Sequence, residues 1–334
     1  MIDTQLELCP CPKCGSNDSN IILSTRDYYY HIPGEYFISQ CQHCSFWFQN
    51  PRPTSLLDLY PIDYTAHISS VPSQIEHNKI RDFLRLVYNS YFYRHLGYNH
   101  LRDRRLRGIW PVLDCILKRQ YGIDLTPAYV PNGKLLDIGC GSGSRLSALF
   151  DLGWQHLYGI ELVSAVADNA KKKGISIEYG IAEDILPKYP DKYFDVVISS
   201  MVLEHLSNPF NMVRDIASKV KPNGQFLFST VSRDSLDAKV YGAYWGGFDL
   251  PRHMVHFRKR DIYNMIEPYF KNVEFFHQGS PIDFVRASTW RGKKIDHIIL
   301  PIAKSLIGNM IGIILSWLNL TTRISFRCTR KDNE

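Results

Sequence analysis

The residues best suited to chemistry lie in Leu135-Leu136-Asp137-Ile138-Gly139-Cys140-Gly141-Ser142-Gly143-Ser144, where three glycines close an apolar run and precede a helix-like stretch. Glycines there let a ligand approach the main chain, and free N–H groups at a helix start attract an anion, so a carboxylate or phosphate ligand is expected. Eighteen residues past Gly143, Glu161 ends the next apolar run, where a carboxylate can accept hydrogen bonds from both hydroxyls of a ribose. The ligand should therefore contain a nucleoside. The spacing is Gly-x-Gly-x-Gly with Asp137 two residues before the first glycine, unlike the Gly-x-Gly-x-x-Gly of dinucleotide enzymes.

A second chemistry sits at the N-terminus. Cys11-Pro12-Lys13-Cys14 and Cys41-Gln42-His43-Cys44 are two Cys-x-x-Cys knuckles separated by 26 residues. That pattern matches a tetrahedral all-thiolate zinc site, in which Cys11, Cys14, Cys41 and Cys44 close the shell and leave no position for catalysis. Cys9 and His43 are spare potential ligands. The module is too small to be held by core burial alone, which a structural metal would remedy. Cys115, Cys140 and Cys328 are expected to be reduced and buried.

These groups need elements to hold them. Residues 1–60 read as a small β-rich module, 61–125 as an amphipathic helical connector with Ile80, Phe83, Leu84, Val87, Tyr88, Tyr91 and Phe92 at helical spacing. From 126 to 334, short apolar runs alternate with helix-like stretches, which predicts a Rossmann-like α/β domain with a mostly parallel sheet covered on both faces. Two late strands, Val273–Gln278 and Thr322–Arg330, leave room for an antiparallel edge. The composition, 45% hydrophobic and 22% charged, excludes a wholly disordered chain.

The glycine stretch resembles the first motif of class I S-adenosylmethionine-dependent methyltransferases. Tyr158–Leu162 resembles their second motif, Asp195–Leu206 their fourth strand and the segment after it, and Lys221–Gln225 the turn into their fifth strand. Four elements in order over about residues 130–275 make the resemblance specific. It implies a seven-stranded sheet and bound S-adenosylmethionine, with Asp137, Gly139, Gly141 and Gly143 at the methionine end, Glu161 at the ribose, Ala182 and Glu183 near adenine, and Met201 beside them. Gly180 is followed by Ile181 where the family often has an acid, so Glu183 or Asp184 would supply the adenine contact, unless both acids only favour a helix start.

Three histidines are candidate bases. His205, in a Leu-Glu-His similar to that of quinone-biosynthesis O-methyltransferases, lies past the fourth strand, at the sheet edge where ligands of such folds bind. His253 and His256 lie in the aromatic, Gly-rich segment Trp245–Phe257, which is expected to form a lid or acceptor wall. Its Trp-Gly…Asp-x-Pro-Arg-His pattern resembles one from polysaccharide and natural-product methyltransferases, and Asn50-Pro51-Arg52-Pro53 resembles the joint between a zinc ribbon and such a domain. The acceptor expected is a small molecule or glycan, with oxygen as the methylated atom.

The formal charge is +6, with the basic excess in 61–125 and in the tail. An RNA acceptor on the Arg-rich 81–107 stretch is the second reading, disfavoured by a net acidic ribbon and a neutral catalytic region. A non-catalytic binding module is the third. The stretch 301–320 approaches the roughly 20 residues of a membrane span, but its polar residues fall on one side. It would either lie in a membrane interface near a lipid-linked acceptor or pack on the domain or on a second copy as a homodimer. The first residues lack a basic start and apolar run, so a cytoplasmic protein, peripheral to a membrane if anything, is expected.

Overall fold

The computed structural model describes residues 5–55, 59–60, 79–102, 125–163, 167–278 and 314–332. Parts of the connector (61–78 and 103–124) and most of the 295–320 excursion (295–313) lie outside the described residues.

The N-terminal strands are β1 (Leu6–Glu7), β2 (Ser19–Thr25), β3 (Tyr36–Cys41), β4 (Trp47–Gln49) and β5 (Arg52–Pro53), followed by helix α1 (Lys79–His95). Then come β6 (Lys134–Ile138), α2 (Ser144–Asp151), β7 (His156–Glu161), α3 (Asp168–Lys172), β8 (Ser176–Tyr179), α4 (Ala182–Ile185), β9 (Phe194–Ser200) and α5 (Pro209–Lys219). The chain continues through β10 (Val220–Val231), α6 (Leu236–Tyr241), β11 (Val255–His256), α7 (Lys259–Ile266), β12 (Phe270–Gln278) and β13 (Arg323–Arg330).

Seven strands form one sheet in the order β12-β13-β10-β9-β6-β7-β8, with β8, β7, β6, β9 and β10 parallel. The antiparallel strand is not at the edge. β13 slots between β10 and β12 and runs antiparallel to both, which leaves β12 outermost. The central strands bury both faces, as their continuous apolar runs require. Leu136, Ile138, Val197, Phe226 and Phe228 belong to one core cluster, while their alternate neighbours Leu135, Val196, Ile198 and Leu227 belong to another. On that second face α1 contributes Val87, Tyr91 and Phe92, packed with Leu146, Leu149 and Trp154.

The N-terminal module joins the first face. Tyr36, Ile38, Phe46 and Phe48 share a core cluster with Val213, Ile216 and Ile262 of α5 and α7. Its four-stranded sheet, ordered β11-β4-β3-β2, takes its last strand from the segment after β10, with Val255 opposite Phe48 and His256 opposite Trp47. Lys13 also reaches Asp261 of α7 at 2.9 Å. Residues 314–317 are helical, with Ile314, Trp317 and Leu318 about half exposed. No helix among the described residues is long and apolar enough to cross a membrane.

Candidate active site

The carboxyl ends of β6, β7 and β9 open onto a cavity of about 730 Å³, a size suited to a cofactor and a small acceptor together. β6 turns there through Gly139, Gly141 and Gly143, all at positive φ. At Gly139 (φ +70°) a Cβ would lie 2.4 Å from Val202 Cγ2, and at Gly143 (φ +71°) 2.5 Å from Ala170 Cβ. Only glycine lets the loop lie this close to its neighbours. The loop is tied to β7: Gly139 N donates to Ile160 O at 2.8 Å, and Gly141 N donates to Glu161 Oε2 at 2.7 Å. Glu161 Oε1 accepts from Val163 N at 3.1 Å, which fixes the carboxylate at the cavity wall.

Gly139, Glu161, Ala182, Glu183 and Met201 line the cavity, as do Gly180 and Ile181. Asp137, Gly141 and Gly143 do not. Asp137 is fully buried beneath the loop, where burial raises its pKa and Arg145, 3.2 Å away, opposes that rise. Met201 has φ +55° and donates its N–H to Ser229 O at 2.8 Å, a strained backbone conformation at the end of β9. Asp184 is absent from the lining and stands in the first turn of α4 with Glu183, where the helix dipole favours acids.

The cavity continues to His205 and His253, whose rings meet edge to face at 4.6 Å. His205 Nδ1 lies 3.2 Å from Arg252 O and 2.9 Å from Tyr60 Oη. A carbonyl can only accept, so the network assigns the proton to Nδ1 and the lone pair to Nε2. Burial, and then the neighbouring His253, hold His205 well below the usual imidazole range, so it is neutral near pH 7. His253 Nδ1 is 2.8 Å from Gly247 O, which assigns its tautomer in the same way.

His256 is not brought to the site. It is fully buried in β11, edge-on to Phe248, with no hydrogen-bond partner among the described residues for either ring nitrogen, and it is absent from the cavity lining. Sequence reasoning placed it with His253 because both lie in one segment. The short strand β11 carries it away.

Several residues were missed. Glu204 is fully buried beside the two histidines; Oε2 accepts from Thr230 Oγ1 at 2.9 Å and Oε1 has no hydrogen-bond partner among the described residues. Burial raises its pKa, with the neighbouring His253 the chief opposing influence. The Leu-Glu-His motif contained that signal. Tyr28, Tyr29, Tyr30 and Tyr60 line the acceptor end, and no local pattern placed them there. The segment 242–249 is pinned by buried Trp245, whose Nε1 donates to Asp237 Oδ2 at 3.2 Å and to Thr322 Oγ1 at 3.1 Å.

The four knuckle cysteines converge with their sulfur atoms all within 4.8 Å of one another. Cys11 Sγ lies 3.6 Å from Cys44 Sγ, and Cys14 Sγ lies 3.5 Å from Cys41 Sγ. Tetrahedral zinc with bonds of about 2.3 Å sets sulfurs about 3.8 Å apart, so the donor set fits that ion. Cys9 and His43 stay outside the cluster.

Residues 115–269 match the family model described as "Methyltransferase domain". The chain is 34% identical over 134 residues to the ubiquinone biosynthesis O-methyltransferase of Maricaulis maris, across 38% of this chain and 52% of that protein. It is 37% identical over 132 residues to the Burkholderia thailandensis protein of the same name, across 37% of this chain and 56% of that one. The chain thus spans about half the length of the curated relatives it matches. Among solved structures it is similar to a SAM dependent methyltransferase from Archaeoglobus fulgidus, with 17% identity and a TM-score of 0.42, covering 73% of this chain and 99% of that one. The matched segment, with its glycine loop and acidic second strand, is a class I S-adenosylmethionine-dependent methyltransferase domain.

Proposed function

We propose that this protein transfers a methyl group from S-adenosylmethionine to a hydroxyl of a small-molecule acceptor, and that its four knuckle cysteines hold a structural zinc ion. The observation that carries the reading is the shared cavity: Glu161 and Gly139 of the glycine loop line one end, His205 and the tyrosines the other. Bound S-adenosylmethionine supplies a methyl group made electrophilic by its sulfonium. The loop's main chain would take the amino-acid end, Glu161 the ribose hydroxyls, and Ala182 with Glu183 the adenine neighbourhood. His205 Nε2 would accept the hydroxyl proton of the acceptor as the oxygen attacks, while Arg252 O keeps the other nitrogen protonated.

Oxygen as the target is supported by the O-methyltransferase names of the relatives. A glycan, a lipid-linked molecule or a secondary metabolite is the acceptor class we favour, because the acceptor end mixes tyrosine rings with Asp249 and His253. The ribbon's thiolates close a coordination shell without an open position, so its metal would be structural.

Isothermal titration with S-adenosylmethionine tests the reading directly. Saturable binding is expected in the wild type, with a loss of at least about tenfold in Gly139→Val, whose side chain would collide with Val202. Equal binding by both proteins, or none by the wild type, would remove the reading.

A further inference from the structure

The N-terminal module meets the candidate base directly through Tyr60 and reaches it a second way through a buried ion pair. Arg252 and Asp27 are both fully buried at their side chains, with Nη1 to Oδ2 at 2.9 Å and Nη2 to Oδ1 at 2.8 Å. Asp27 also accepts the main-chain N–H groups of Tyr29 at 2.9 Å, Tyr30 at 3.2 Å and Ile32 at 3.2 Å. One carboxylate therefore organises the turn that carries Tyr28, Tyr29 and Tyr30 to the cavity and grips the arginine below it. The Arg252 guanidinium additionally lies over the Tyr30 ring, 4.7 Å from its centroid, and contacts Asp249 through Nε at 3.1 Å. The main-chain carbonyl of this same arginine is the acceptor for His205 Nδ1.

We propose that Arg252 is a positioning residue through which the cysteine-held module sets the tautomer of His205. A bidentate pair with no solvent around it holds the arginine in one orientation, and its carbonyl inherits that constraint. With the clamp released, Tyr60 Oη, 2.9 Å from Nδ1, donates to that nitrogen, which places the proton on Nε2 and removes the lone pair from the cavity. The same release frees the three tyrosines of the acceptor wall. The module then acts on acceptor chemistry while the cofactor end, built from β6, β7 and α4, is left alone. This inference rests on the methyl-transfer reading of the cavity.

The test is ring-nitrogen NMR of the full-length, zinc-loaded, ¹⁵N-labelled protein at pH 7, with the His205 signals assigned by loss in His205→Gln. S-adenosylhomocysteine affinity is measured in parallel. Wild type should show a protonated Nδ1 and an unprotonated Nε2. Asp27→Asn, and separately chelation of the wild type, should move Nε2 toward the protonated position while S-adenosylhomocysteine affinity changes by less than about twofold. An unchanged His205 pattern in both arms overturns the proposal. If Asp27→Asn also loses S-adenosylhomocysteine binding, Arg252→Lys, which keeps the charge but not the fork, decides by the same two readings. Joint loss there too overturns the proposal in favour of a scaffold role. A wild type that binds no S-adenosylhomocysteine defeats the methyl-transfer reading instead, and the ring-nitrogen pattern still reports on the clamp.

Discussion

His205 and His256 show how differently one residue type behaves a few ångströms apart. His205 keeps a nitrogen for the cavity because two oxygens meet Nδ1, whereas His256 has no hydrogen-bond partner among the described residues. Replacing His205 by Gln should lower transfer to a hydroxyl acceptor by about a hundredfold or more, with S-adenosylhomocysteine affinity retained; a radiolabelled-methyl assay over an acceptor panel measures this. His256 makes a different prediction. Burial holds His205, His256 and His277 below their unfolded pKa, His277 at about 4. The unfolded chain therefore binds more protons than the folded one as pH falls below about 6.5, and stability drops in that direction. It is fully present above that pH. His256→Leu should reduce the slope of unfolding free energy between pH 6 and 5 by about 1.4 kcal/mol per pH unit, the effect of one proton, as read by urea unfolding at several pH values.

At the scale of elements, the glycine loop and the Asp27 turn do the positioning. Most of the first was legible in the sequence. The β6 loop, Glu161 at the end of β7 and the Leu-Glu-His after β9 are local patterns whose geometry follows from strand, turn and helix in succession. The polar N-cap of α5 is equally local: Asn208 accepts from Asn211 N at 3.0 Å, with Pro209 starting the helix. The Asp27 turn was not legible, since its partner lies 225 residues away and nothing in Asp27-Tyr28-Tyr29-Tyr30 signals a distant guanidinium. Asp27→Ala leaves Arg252 without its bidentate partner and should destabilise the protein by about 3–5 kcal/mol in denaturant unfolding. The His253 and His256 pairing in one lid failed for a related reason: β-pairing with β4 turns the second histidine into the core, and pairing registers are set by tertiary packing.

For the whole molecule, the N-terminal cysteine-bearing module is interleaved with the seven-stranded sheet domain. Val255 and His256 complete the module's four-stranded sheet, Lys13 pairs with Asp261, and Thr25 Oγ1 donates to Ala243 O at 3.0 Å. A chain lacking residues 1–55 should therefore fail to give a cooperative thermal transition by calorimetry, in contrast to a domain that merely hangs on a linker. The charge pattern of the sequence offered no view of this interleaving, because the contacts that create it are mostly apolar and long-range.

The place of β13 in the sheet bears on how the protein is made. Phe270–Gln278 leaves the ribosome well before Arg323–Arg330, yet the two are neighbours, and among the described strands β13 alone links β12 to the parallel ones. Until the later segment is translated, β10 lacks its β13 neighbour and β12 has no partner strand among the described residues. A frameshift or premature stop shortly before residue 323 would thus remove an interior slat of the sheet while sparing every residue of the cofactor loop.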